Sequence, residues 1–115
     1  MARYYYKHGS VLDHYDNNKV LHREDGPAIE WDNGDKQWWV NNTIHRVDGP
    51  AVETSLRKEW WVNGKQHRVE GPAVEYSNGE REYWINGKLL FQEVFEAHLL
   101  RQKYLFEQEL ERVLA

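Results

Sequence analysis

From residue 22 onward, short runs of alternating apolar and polar residues are separated by clusters of Gly, Pro, Asn and Asp. A period of two marks a half-buried strand, and turn residues mark its ends. One kind of run is Ala-Ile/Val-Glu followed by a larger residue, entered through Gly-Pro. The other is an aromatic pair followed by Val or Ile, left through Asn-Gly-Lys or Asn-Asn. These runs predict strands near 28–32, 36–41, 51–54, 58–62, 73–77 and 81–86, with less regular strands before them. Residues 89–115 change period and contain neither Gly nor Pro. They predict a helix from about 89 to 113, with Phe91, Val94, Phe95, Leu99, Leu105, Phe106, Leu110 and Val113 in one arc of less than half the circumference. That arc is expected to lie against the sheet.

The strand pattern recurs. Residues 22–44, 45–66 and 67–90 share His-Arg-x-Asp/Glu-Gly-Pro-Ala-Val/Ile-Glu, a variable turn, then the aromatic pair and its aliphatic neighbour. Residues 4–21 read as a degenerate first copy, and residues 91–115 as a capping helix, so that 1–115 is a single repeat domain. Asn33-Gly34 and Asn78-Gly79 suit tight two-residue hairpin turns, which need positive φ; Ser55-Leu56-Arg57-Lys58 stands there in the second copy, one residue shorter. Pro27, Pro50 and Pro72 all occupy the slot where the chain leaves the ladder, since Pro donates no ladder hydrogen bond. The fold expected is mainly β, an antiparallel meander of roughly 23-residue hairpins closed by one C-terminal helix. Leu89-Leu90 stand where the next His-Arg would begin, so the helix should cap the open end.

The segment Trp61-Val62-Asn63-Gly64-Lys65, followed by His67 and Gly71-Pro72-Ala73-Val74-Glu75, resembles the MORN-type repeat. The variant it is most similar to is the bacterial and viral one of YwqK-like antitoxins and phage repeat proteins. The same set stands at 39–53 and begins at 22–30, so the resemblance covers about 70 residues. It departs from the common MORN form in its regular His-Arg and its long terminal helix. What it implies is a scaffold or binding module, with antitoxin-like, inhibitor or anti-CRISPR roles by analogy.

Alternation sends neighbouring aromatics to opposite faces. Trp38/Val40, Trp60/Val62 and Tyr83/Ile85 share one face, and their aliphatic members make it the better core candidate. Trp39, Trp61 and Trp84 share the other with Gln37, Glu59 and Glu82. Ala28/Glu30, Ala51/Glu53 and Ala73/Glu75 are expected on the indoles' side, giving a candidate partner-binding surface of Trp39, Trp61 and Trp84 with Glu30, Glu53, Glu59, Glu75 and Glu82. The same indoles could instead pack together to stiffen a thin sheet. An alternative contact lies at Leu100 and Tyr104, on the helix's charged side.

Composition narrows the function. Fifteen Lys and Arg against 19 Asp and Glu, a net charge of −4, give no electrostatic reason to approach nucleic acid or an anionic bilayer. The chain has no Cys, and its first residues lack the apolar run of a signal peptide, so a cytoplasmic protein of a bacterial or infected host cell is expected. His22, His45 and His67 occupy equivalent positions about 9–10 Å apart, too far to share one metal ion. With Arg23, Arg46, Arg68, Asp25, Asp48 and Glu70 they read as structural clusters. No nucleophile motif, phosphate-binding loop or single converging acid–base pair appears, so neither a catalytic residue nor a cofactor is expected. The function expected is a non-enzymatic module that binds and blocks a larger protein, basic at the contact. A homodimer through the C-terminal helix is a further arrangement. The other classes weighed are a membrane-associated MORN-like scaffold and an acidic nucleic-acid mimic.

Overall fold

The computed structural model describes residues 1–114. Its main body is a nine-stranded antiparallel sheet. The strands are β1 (Ala2–Tyr5), β2 (Val11–Leu12), β3 (Ile29–Trp31), β4 (Lys36–Gln37), β7 (Val52–Glu53), β8 (Arg57–Glu59), β11 (Val74–Tyr76), β12 (Arg81–Ile85) and β13 (Lys88–Leu90). They lie in the order β13-β12-β11-β8-β7-β4-β3-β1-β2. Two small hairpins stand apart from this sheet, β5 (Trp39–Val40) with β6 (Thr43–Ile44), and β9 (Trp61–Val62) with β10 (Lys65–Gln66). The segment 4–21, expected as a degenerate first copy, holds the end of β1, which lies next to β3, then β2 and a bridge between Tyr6 and Leu21.

The strands expected at 36–41 and 58–62 are thus not continuous. Each breaks at a tryptophan where the backbone changes partners. The Trp38 N–H donates to the Ala51 carbonyl at 2.8 Å, and its own carbonyl accepts from the His45 N–H at 3.1 Å. Trp60 does the same with Ala73 and His67. The chain then turns back through Asn41-Asn42 or Asn63-Gly64, where both residues have positive φ, as a two-residue hairpin turn requires. In the third copy β12 runs straight through Tyr83 and pairs with β13, which extends the sheet by one edge strand.

The Asn-Gly sites between first and second strands are not two-residue turns. Only Gly34 and Gly79 have positive φ there; Trp31 N–H donates to Asp35 O and Tyr76 N–H to Glu80 O, enclosing three residues. Such a loop carries its glycine in the left-handed region as a bulge. Thr54 and Arg57, by contrast, enclose only Ser55 and Leu56. The extra residue at 32–34 sets the register Ile29↔Gln37, which matches Val52↔Glu59 in the second copy.

The helix α1 (Gln92–Leu114) forms, but its apolar arc does not lie on the sheet. Phe95 is its one buried side chain among the described residues, and Phe91, Val94, Leu99, Leu105, Phe106, Leu110 and Val113 are all exposed. Twenty-three helical residues extend about 35 Å. Only the first turns touch the ladder; the remainder projects past its end.

Candidate functional site

Three rows of side chains cross the sheet, each fixed by the register. The first runs Tyr4, Ile29, Gln37, Val52, Glu59, Val74, Glu82. One step along each strand the second row runs Arg3, Glu30, Lys36, Glu53, Lys58, Glu75, Arg81, alternating in charge on the opposite face. On that same opposite face, the third row continues the register as Tyr5, Ala28, Trp38, Ala51, Trp60, Ala73, Tyr83. Large rings alternate with small residues, and all three alanines are fully buried.

Trp39, Trp61 and Trp84 belong with the first row. Their indole Nε1 groups donate to Gln37, Glu59 and Glu82, at 3.0, 2.9 and 2.9 Å, which folds each ring back over the row that carries Ile29, Val52 and Val74. Those aliphatic residues are buried, and Trp39 packs on the cluster of Tyr6, Leu21 and Ile29. The Glu59 carboxylate also pairs with Arg57 and accepts from the Gln66 amide at 3.3 Å, and Glu82 accepts from the Tyr76 hydroxyl at 3.0 Å. That last bond raises the Tyr76 phenol above its ordinary range.

The opposite face carries a clamp repeated three times. Arg23, Arg46 and Arg68 lie over the rings of Tyr5, Trp38 and Trp60, with 3.9, 3.8 and 3.9 Å from guanidinium carbon to ring centre. Their Nη1 groups donate to Pro27, Pro50 and Pro72 carbonyls and to Glu30, Glu53 and Glu75. In the first two copies Nε donates to Asp25 and Asp48, and the guanidinium holds those carboxyls below the usual carboxylate range. Among the described residues no ion pair joins Arg68 to Glu70. The histidines act on the backbone: the N–H groups of Asn41, Asn63 and Asn86 donate to Nδ1 of His22, His45 and His67 at 3.0, 2.9 and 3.0 Å. Those asparagines open the two-residue turns, so each His fixes a turn to the ladder.

The glycine of Asp/Glu-Gly-Pro is explained by the same clamp. A Cβ on Gly49 would stand 2.8 Å from the Arg46 guanidinium carbon, and one on Gly71 would stand 3.3 Å from that of Arg68. Gly49→Ala should therefore destabilise the protein by about 1 kcal/mol, through displacement of Arg46 from Trp38 and Glu53. Gly71→Ala should cost less. In an Arg46→Ala background the Gly49→Ala penalty should vanish. Urea unfolding of the four-member cycle checks this, and an unchanged penalty in that background would place the cause in the backbone instead.

The expected partner surface is accordingly divided. Trp39, Trp61, Trp84, Glu59 and Glu82 lie on one face, and Glu30, Glu53 and Glu75 lie on the other, each engaged by an arginine. The face expected as core holds Trp38 and Trp60 only half-buried beneath guanidiniums; of that set only Tyr83 is buried, by Phe95. Consecutive clamps enclose open clefts. One is lined by Trp38, Val40, His45 and Val47, the next by Trp60, Val62, His67 and Val69, and a third by Tyr5, His22 and Arg23. Val47 is 80% exposed and Val69 48% exposed at the lips of these clefts. The sequence signal for them was an apolar residue inside an otherwise polar His-Arg-Val-Asp/Glu-Gly turn.

Leu100 and Tyr104 are exposed on α1, away from the clefts. Among the described residues no group of three His, Cys, Asp or Glu side chains is placed to hold a metal ion, and no helix is long and apolar enough to cross a membrane. Comparison with protein-family models, with curated proteins and with solved structures finds no match for this chain.

Proposed function

We propose that this protein is a non-enzymatic binding module, MORN-like in its repeats, that attaches to and blocks a larger protein through the row of clefts between its arginine clamps. The supporting observation is the recurrence of one cleft with an aromatic floor and a fixed guanidinium wall, which in two of its three occurrences has an exposed valine lip, Val47 or Val69. Successive clefts lie two strands apart, about 9.4–9.8 Å. Rigid aromatic floors beside exposed apolar lips provide the buried anchors that dominate interface energies. The Glu30–Lys36–Glu53–Lys58–Glu75–Arg81 row alternates in sign, so it lends no support to an acidic nucleic-acid mimic.

The test is capture from the native host with a photo-crosslinking residue at Val47, followed by affinity measurement with the protein identified. Val47→Asp with Val69→Asp should weaken that complex by about tenfold or more and leave the melting temperature unchanged, because neither valine supports the core. Leu100→Ala and Tyr104→Ala should bind as the parent does. Binding lost through Leu100 or Tyr104, and retained in the double valine variant, would move the site to the helix.

A further inference from the structure

The part of α1 beyond Phe95 is an apolar stripe with nothing in the ladder to cover it. Leu99, Phe106 and Val113 stand one heptad apart, the spacing that keeps side chains on one seam of a helix pair. Leu110 widens the seam, and all four are exposed. A hydrophobic stripe of this kind on a projecting helix needs a partner whose own stripe matches in length and whose flanking charges are opposite.

We infer that the partner is a second copy of this chain, paired antiparallel over residues 99–113 with the twofold axis at Phe106. In this register Leu99 meets the other copy's Val113, Phe106 meets its counterpart, and Gln102 meets Leu110. Along one flank of the seam lie Lys103 and Glu107, four residues apart. Antiparallel helices bring that flank against itself, so Lys103 of each copy reaches Glu107 of the other, twice per dimer. Parallel pairing would set this flank against the opposite one, bringing Lys103 near His98 and Glu107 near Glu109, with no complementary pair. Charges at these flanking positions choose orientation.

The antiparallel register also leaves the ladder undisturbed. The paired span of 99–113 begins four residues beyond Phe95. The Phe95–Tyr83 contact, with ring centres 4.7 Å apart, is therefore kept in both copies. The two ladders would sit at opposite ends of the helix pair.

The full-length protein should sediment as a concentration-dependent dimer. Phe106→Asp should raise the dissociation constant by at least about a hundredfold with the thermal melt of the ladder unchanged. Lys103→Glu and Glu107→Lys should each weaken association by about tenfold, and the double exchange should restore it. The chain has no native Cys, so introduced thiols report orientation cleanly. A Leu99→Cys protein mixed with Val113→Cys should form the mixed disulfide, and Val113→Cys alone should not. A monomer up to millimolar concentration, a dimer indifferent to Phe106→Asp, or efficient Val113–Val113 cross-linking would each overturn the proposal. None of these results bears on the clefts, whose test uses a different partner and different residues.

Discussion

Phe95→Ala should lower the unfolding free energy by about 3 kcal/mol and remove most of the helical signal in the same step. Phe95 is 2% exposed and is the only side chain of α1 buried on the ladder among the described residues. Deleting a buried Phe ring costs about 3–5 kcal/mol. Its position explains why so much rests on it. Tyr5, Trp38 and Trp60 are each covered by the arginine of a following His-Arg, whereas the chain after Tyr83 has Leu89-Leu90 instead. Phe95 occupies the place of that missing guanidinium over Tyr83, so the last ring of the row is sealed by the helix. At concentrations below those at which the helices pair, a helix of some 23 residues without this anchor has little tertiary support, and packing of an apolar face supplies most helical stability in proteins. Urea unfolding followed by tryptophan fluorescence and far-ultraviolet dichroism checks it. A variant whose helix melts early while the ladder keeps its full stability would show that α1 is an appendage and not the cap.

Trp61→Ala should destabilise by about 2–3 kcal/mol, less than a fully buried indole because the ring is only half-buried. Two effects combine. The substitution uncovers the row between Val52 and Val74, and it leaves the Glu59 carboxylate without its indole donor. Trp61→Phe retains the cover and loses only the N–H, so its cost should stay near 1 kcal/mol. Thermal melts of the two variants separate these contributions. If Trp61→Ala melts like the parent and binds a partner poorly, the indole is a contact residue and not a cover.

The turn residues and period-two runs made the antiparallel fold legible, because Gly, Pro and Asn mark where each strand must end. Which faces meet was not legible, and one residue accounts for it. A two-residue turn at Asn33-Gly34 would pair Ala28 with Trp39 and Glu30 with Gln37. The bulged three-residue loop pairs Ile29 with Gln37 instead, and a shift of one residue exchanges every side chain between faces. The shorter second copy held the clue: its two-residue turn gives Val52↔Glu59 directly. The breaks at Trp38 and Trp60 were hidden for another reason. They arise where the backbone trades a sheet partner for the next His-Arg segment, and no local propensity encodes that exchange. The helix was legible from its periodicity, but an apolar arc specifies only that something should cover it. Among the described residues of that arc, the sheet covers Phe95 alone.

The clamp uses the same few atoms at each rung, and each rung touches only the ones beside it. Nothing in this arrangement sets how many rungs there are. Growth stops at one end because Leu89-Leu90 and Phe95 replace the next arginine, and at the other because β2 covers β1. The reach of the molecule is therefore a counted quantity: inserting or removing one unit in phase would change its length by a step of about 9.4–9.8 Å while repeating contacts already present. Such a ladder behaves as a graduated ruler, whose two end fittings can stay the same while evolution adjusts the distance between them.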